Sequence, residues 1–265
     1  TISDYAEQTS SSLSKYRLVG ASTKVQYANA ATHYGITLWG IIFLIKQKNN
    51  FFSTYRIISY LIITILVVAG IFSGRTFLVI ILLTIVYLFL LNKKKHNRIL
   101  RTGLDFISIF CPVFIVSGFL ISYIFITNPM AIDWAFEMFI NLSESGEIST
   151  NSTDTLGSMW HIFPDNFKTW ILGDGKAYAE LGYYVASDVG YIRSIFYWGL
   201  LGTFSYYFIH LLYYKILINT SDNYALKSYY LMILIWFFIY NGKEFWTPLP
   251  YLILFLVASV VDGFA

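Results

Sequence analysis

In "SDVGYIRSIFYWGLLG" an acid, Asp188, and an arginine, Arg193, stand just ahead of a long apolar run. A guanidinium is a planar fork of donors that keeps its proton and fits phosphate oxygens. Each such contact contributes about 1.5–3 kcal/mol. Three more basic residues occupy comparable places: Arg17 in "KYRLVGAS", Arg75 in "FSGRTF" and Lys243 in "NGKEFW". Positive charge beside an apolar span is costly unless something anionic meets it. Converging arginines would hold a diphosphate and stabilise it as it leaves. Taken singly, each has a plainer role: Arg193 pairing with Asp188, or Arg75 capping a helical hairpin or meeting lipid headgroups. A proton acceptor is the second requirement, and Asp188 is the first choice. His161 in "SMWHIFPDNF" and Glu244 are the others. An imidazole suits base catalysis, yet the apolar neighbours of His161 equally describe a packed ring. Glu244 has Lys243 beside it.

The elements that must position these groups follow from composition. Charged residues are 12% of the 265-residue chain and hydrophobic residues 57%. The charged fraction is about half that of a soluble domain, and the mean hydropathy is +0.59. Aromatics reach 20%, more than a water-soluble core hides but easily housed by lipid and interfacial belts. The chain reads as an all-α polytopic integral membrane protein, with the bilayer as its first partner. Basic residues lie in short loops between apolar runs, which excludes a nucleic-acid surface. The lone Cys111 excludes a disulfide framework.

Apolar runs fall at 25–45, 57–73, 76–91, 104–127, 191–214, 228–241 and 248–261, giving about seven transmembrane helices. "SGR" at 73–75 predicts a tight hairpin, and "NGKEFWTP" breaks the last pair. Lys46, Lys48 and Arg56 share one loop; Lys93, Lys94, Lys95, Arg98 and Arg101 a second; Lys215 and Lys227 a third. Seven spans put all three on one side, which the positive-inside rule makes cytoplasmic. Residues 1–24, the "SGR" turn, the segment 128–190 and "NGKEFWTP" then face outward. Segment 128–190 carries nine Asp and Glu against two Lys and reads as an extracytoplasmic loop subdomain. Within it "AIDWAFEMFINL" (131–142) has Ile132, Phe136, Phe139 and Ile140 at helical spacing, predicting an amphipathic helix. "FPDNFKTWILGDG" (163–175) predicts a short helix started by proline and ended by a glycine turn. The Ser/Thr/Asn-rich stretch 143–154 predicts a mobile linker. His33, inside the first span, reads as a buried polar contact. The whole, 1–265, is expected to be one transmembrane domain and the C-terminal part of a longer chain.

Taken in order, "YRLVG", "QYANAATHYGITLWG", "GRTFLVIILLTIVYLFL", "ILGDG" and "SDVGYIRSIFYWGLLG" resemble the bacterial O-antigen polymerases, the Wzy-type repeat-unit polymerases grouped with the O-antigen ligases. The most specific element is "SD-x-GYIR" followed by Gly199 and Gly202. The resemblance implies a helical bundle similar to the GT-C glycosyltransferases. It implies transfer of a growing glycan from undecaprenyl pyrophosphate to another lipid-linked oligosaccharide repeat unit, at the outer face of the bacterial inner membrane. It also implies a chain-length regulator protein as a partner. On it, Arg17, Arg75 and Arg193 match the arginines around the diphosphate. Asp188 stands where related ligases often place a histidine. "YRLVGASTKVQYAN" lacks the proline often found before the asparagine, which loosens the match of Asn29.

Such a transfer needs charge stabilisation on the departing phosphates and help in deprotonating the acceptor hydroxyl. No Asp-x-Asp pair occurs in the chain, so the expectation is a metal-independent, cofactor-free enzyme in which arginines replace the cation. Lys243, Glu244, His161 and Tyr191 complete the expected substrate-binding set. Trp160, Trp170, Tyr183, Tyr184 and Tyr191 can stack on sugar rings, or simply populate the membrane interface. "GDG" at 173–175 is either a phosphate-cradling turn or a loop end. Three rival readings stay open: an O-antigen ligase passing glycan to lipid A–core, a transporter of lipid-linked oligosaccharide, and a structural membrane subunit.

Overall fold

The structure is a computed structural model that describes residues 27–46, 56–74, 76–93, 97–127, 129–146, 150–179, 182–245 and 247. Its helices are α1 (Tyr27–Lys46), α2 (Arg56–Ser73), α3 (Thr76–Leu91), α4 (Arg98–Thr127), α5 (Pro129–Ser145), α6 (Asn151–Met159), α7 (Phe167–Leu172), α8 (Gly190–Thr220) and α9 (Tyr224–Asn241). The one interruption among them is an antiparallel pair, β1 (Tyr178–Ala179) with β2 (Gly182–Tyr183), in which Tyr178 faces Tyr183. Among the described residues the regular structure is therefore all-helical apart from this small hairpin. Helices α4 (over Arg98–Phe119) and α8 are long and apolar enough to cross a membrane; α2 and α3 are shorter apolar helices. Helices occupy six of the expected apolar runs, and the seventh, 248–261, lies outside the described residues.

The chain forms two compact units, Thr1–Ser149 with Asn223–Tyr229, and Thr150–Asp222 with Tyr230–Ala265. Residues 128–149 belong to the first unit and residues 150–190 to the second.

In the first unit α1 packs on α2 and α3, and α4 on α2 and α5. The α2–α3 hairpin closes through Gly74 N–H to the Gly70 carbonyl at 3.1 Å and Phe77 N–H to the Gly74 carbonyl at 2.9 Å. Trp39, fully buried on α1, donates its indole N–H to Thr84 Oγ1 on α3 at 2.9 Å, and its ring lies 6.4 Å from that of Tyr87. Buried polar groups inside an apolar bundle need such partners. At the charged end of the unit, Lys46 Nζ pairs with Asp105 Oδ1 at 2.5 Å. The buried Asn92 donates Nδ2–H to Asp105 Oδ2 at 2.7 Å. One of the basic residues counted as cytoplasmic is thus held by the acid nearest to it. His33 is half-buried in α1, where its carbonyl accepts from Thr37 Oγ1 at 2.8 Å. The amphipathic helix expected at 131–142 is α5, extended at both ends.

The stretch 143–154 is helical at both ends, against the linker expectation, while residues 147–149 lie outside the described residues. Helix α5 runs to Ser145, and α6 begins at Asn151 behind a capping box in which Thr150 and Thr153 satisfy each other's backbone N–H. Helix α7 starts at Phe167, not at Pro164, because the Asn166 side chain caps it by accepting from Thr169 N–H at 2.8 Å. Helix α6 packs on the start of α8 through Leu156 and Met159 against Val185, Val189 and Ile192. Further along, α8 meets α9 through aromatic rings: His210 and Tyr207 lie 4.7 Å and 5.4 Å from Phe237. Tyr207 Oη donates to Asn241 Oδ1 at 3.1 Å, and Asn241 Nδ2 donates to the Phe237 carbonyl at 2.8 Å. The opposite flank of α8 presents Leu201, Phe204, Phe208 and Ile209 outward, a surface suited to lipid.

Candidate functional site

Helix α8 is broken. Gly199 has φ 67° and ψ −178°, a conformation essentially confined to glycine. The break takes Phe196 and Tyr197 out of the normal ladder, and their carbonyls accept from elsewhere: Asp174 N–H at 2.7 Å and Gly175 N–H at 3.1 Å. The "GDG" turn ends α7 at Gly173, as expected, and the N–H groups of Asp174 and Gly175 satisfy the broken helix. The two backbones approach closely, since a Cβ at Gly199 would sit 2.1 Å from the Ile171 carbonyl oxygen and one at Gly173 2.4 Å from that of Tyr197. Asp174 anchors the turn. Its Oδ1 accepts from Thr169 Oγ1 at 2.7 Å and its Oδ2 from Tyr184 Oη at 3.3 Å. The Asp174 carboxylate raises the Tyr184 hydroxyl above the usual phenol range.

This junction encloses a cavity of about 150 Å³ lined by residues of the turn, the hairpin end and the first two turns of α8. Lys176 and Arg193 bring positive charge to it; Tyr184, Tyr197, Trp198 and Phe245 bring ring surface. Arg193 owes its place to the first turn of α8, whose ladder starts with its N–H on the Val189 carbonyl at 3.0 Å. Phe245 owes its place to Gly190: a Cβ there would lie 2.8 Å from Phe245 Cα and 2.9 Å from the Asn241 carbonyl oxygen. The start of α8 thus lies directly on the turn that follows α9. Cationic donors beside aromatic rings suit an anionic group attached to a ring or chain with apolar faces.

That same packing brings together four of the sequence-expected residues. Glu244 is buried, with 8% of its surface exposed, and accepts from Tyr240 Oη at 2.8 Å. Burial pushes its carboxyl up, the Tyr240 hydrogen bond pulls it down, Asp188 pushes it up, and Lys243 and Arg193 pull it down. Asp188, Arg193, Lys243 and Glu244 therefore share one electrostatic neighbourhood. Asp188 itself is exposed, its backbone N–H 3.3 Å from Met159 Sδ. Tyr191 is committed to structure: its hydroxyl donates to the Phe238 carbonyl at 2.7 Å and its ring packs at a tilt against Trp160 and Tyr207. His161 sits exposed in the turn after α6 and is not among the residues lining the cavity. Trp170 packs on Phe163 with ring centroids 5.7 Å apart. Arg17 and Arg75 lie outside the described residues, as does the side chain of Tyr183.

Lys176, Trp198, Tyr197 and Phe245 are the site residues that the sequence did not single out. Among the described residues no group of three or more His, Cys, Asp or Glu side chains is placed to hold a metal ion. No protein family, curated protein or solved structure matches this chain, so the site is interpreted from its own geometry.

Proposed function

We propose that this chain is a membrane glycosyltransferase that polymerises undecaprenyl-pyrophosphate-linked oligosaccharide repeat units, of the O-antigen or capsule type, at the outer face of the bacterial inner membrane. The observation that carries the reading is Arg193 in a cavity walled by Tyr184, Tyr197, Trp198 and Phe245, at the end of a membrane-length helix opposite Lys215. An anionic diphosphate with a sugar on one side and a polyprenyl chain on the other presents the charge and the apolar faces that such a cavity suits. Arg193 and Lys176 supply fixed positive charge as the glycosyl–phosphate bond breaks. Arg17 and Arg75 join them in this proposal, within a seven-span, GT-C-like arrangement. The acceptor hydroxyl gives up its proton to Asp188, which is exposed in the segment entering α8. His161 and Lys243 line the approach of the sugars in this proposal, while Glu244 is buried and does not reach them. A chain-length regulator is the proposed protein partner.

The test is reconstitution of the purified protein in liposomes with lipid-linked repeat units and no added protein. A ladder of lengthening glycans is the expected product. Transfer only to lipid A–core would make it a ligase, and vectorial movement without new bonds a transporter. Arg193→Ala removes one charge-assisted contact, about 1.5–3 kcal/mol, so chain extension should slow about 10- to 150-fold. An unchanged rate would refute the role given to Arg193.

A further inference from the structure

Glu244 is a carboxyl that the proposed reaction does not use, yet it is the most buried acid of its neighbourhood and stands one residue from the cavity wall at Phe245. Tyr240, itself 1% exposed, fixes it by a 2.8 Å hydrogen bond. Its own backbone N–H returns to the Tyr240 carbonyl at 2.9 Å, so the turn and the side chain are held by the same residue. The absence of a Cβ at Gly190 lets the first turn of α8, which carries Arg193, rest on this turn. The charged and titratable groups whose fields reach Glu244 come from each element packed there: Tyr240 from α9, in direct contact, and Asp188 from the segment entering α8, Lys243 from the turn and Arg193 from α8 through their charge.

We propose that Glu244 is a positioning residue for Arg193, a buried carboxyl behind the cavity wall that tunes how strongly the guanidinium takes an anionic phosphate ligand. This rests on the reading of Arg193 as the diphosphate-gripping group. A neutral carboxyl leaves the guanidinium charge available to the ligand. An ionised one places a like charge near the incoming anion and offers Arg193 a competing partner. Burial favours the neutral form, so the site is set for anion binding where an exposed carboxylate would already oppose it. By linkage, the bound anion raises the proton affinity of Glu244 in turn. The consequence is a binding affinity that weakens as the carboxyl ionises, over and above any titration of the ligand.

The probe is inorganic pyrophosphate, titrated into the full chain in detergent micelles and followed by the fluorescence of Trp198 at the cavity wall. Glu244→Gln keeps the acceptor for Tyr240 and removes the charge. The ratio of wild-type to Glu244→Gln dissociation constants cancels the ionisation of pyrophosphate itself. It should be near unity at acid pH and rise about tenfold with increasing pH, one unit of coupled pKa displacement being one decade of affinity. A flat ratio, with binding still lost in Arg193→Ala, overturns this inference alone. No binding by the wild type, or undiminished binding by Arg193→Ala, overturns the reading of Arg193 and this inference with it. Should Glu244→Gln fail to fold, the infrared carboxyl stretch of the wild type still decides. Tyr240→Phe must move that titration upward and Asp188→Asn must move it downward, and an unmoved midpoint in either refutes the arrangement.

Discussion

Gly199→Ala is the perturbation that bears most directly on the break in α8. The native backbone at this position has φ 67° and ψ −178°, and holding an alanine there costs about 1–3 kcal/mol. The added methyl would lie 2.1 Å from the Ile171 carbonyl oxygen and 2.5 Å from Leu172 N, so the end of α7 must retreat. Retreat opens the two hydrogen bonds from Asp174 and Gly175 to the Phe196 and Tyr197 carbonyls, at about 0.5–1.5 kcal/mol each. The total loss is about 2–6 kcal/mol. The alternative, a straightened α8, avoids the strain and gains about 1 kcal/mol of helix propensity, but it carries Tyr197 and Trp198 out of the cavity wall. Thermal unfolding in detergent should therefore show a midpoint lowered by at least about 4 °C, at roughly 2–4 °C per kcal/mol for a chain of this size. Where the helix straightens instead, Trp198 fluorescence should shift as the indole leaves its packing over Gly202. A variant with the wild-type midpoint and an unchanged Trp198 spectrum would show that the glycine break does not position the site.

Other outcomes follow from the same contacts. Asp174→Asn should return the Tyr184 hydroxyl toward the ordinary phenol range, read as an earlier rise in tyrosinate absorbance during alkaline titration, because the carboxylate is the first cause of its elevation. Trp39→Phe deletes the buried donor to Thr84 and should lower stability by about 1–3 kcal/mol, measured by chemical denaturation with Thr84→Ser as the reference that keeps the hydroxyl. Glu244 also makes stability depend on pH. Its folded-state value is raised above the ordinary 4.5, so the native state keeps a proton that the unfolded chain has released. That contribution is present in full below the ordinary carboxyl value and is lost as pH rises through the raised one, with a slope of at most about 1.36 kcal/mol per pH unit. Unfolding midpoints of Glu244→Gln across the same pH series should lack this component.

The apolar helices were legible because some twenty consecutive residues without charge leave few other readings. Composition misled at 143–154, where Ser, Thr and Asn suggest a linker while Thr150 and Thr153 form the capping box that starts α6. It misled again at Pro164, because the side-chain acceptor of Asn166 starts α7 more effectively than a rigid ring. Asp188, Arg193, Lys243 and Glu244 could be found in advance since charges beside apolar runs are few in this chain. Lys176 and Trp198 could not. Each joins the site only because Gly199 interrupts α8 and lets the 173–175 turn dock on it. A single tryptophan, moreover, carries little signal in a chain that is 20% aromatic. Tyr191 shows the converse: its type and place suit ligand stacking, but its hydroxyl is taken by the Phe238 carbonyl, a pairing that no local spacing reveals.

The Lys46–Asp105–Asn92 contact has a mechanical consequence. It joins the last residue of α1, the residue just past α3 and the second turn of α4 through bonds of 2.5 and 2.7 Å. Sliding any of these helices by one residue moves it 1.5 Å along its axis, enough to stretch the contact beyond hydrogen-bonding length. Apolar surfaces alone would tolerate such a slip, since one greasy ridge resembles the next. The trio acts as an index pin: beside the Trp39–Thr84 bond between α1 and α3, it gives three largely apolar rods a common zero and holds their ends level at the charged margin of the bundle.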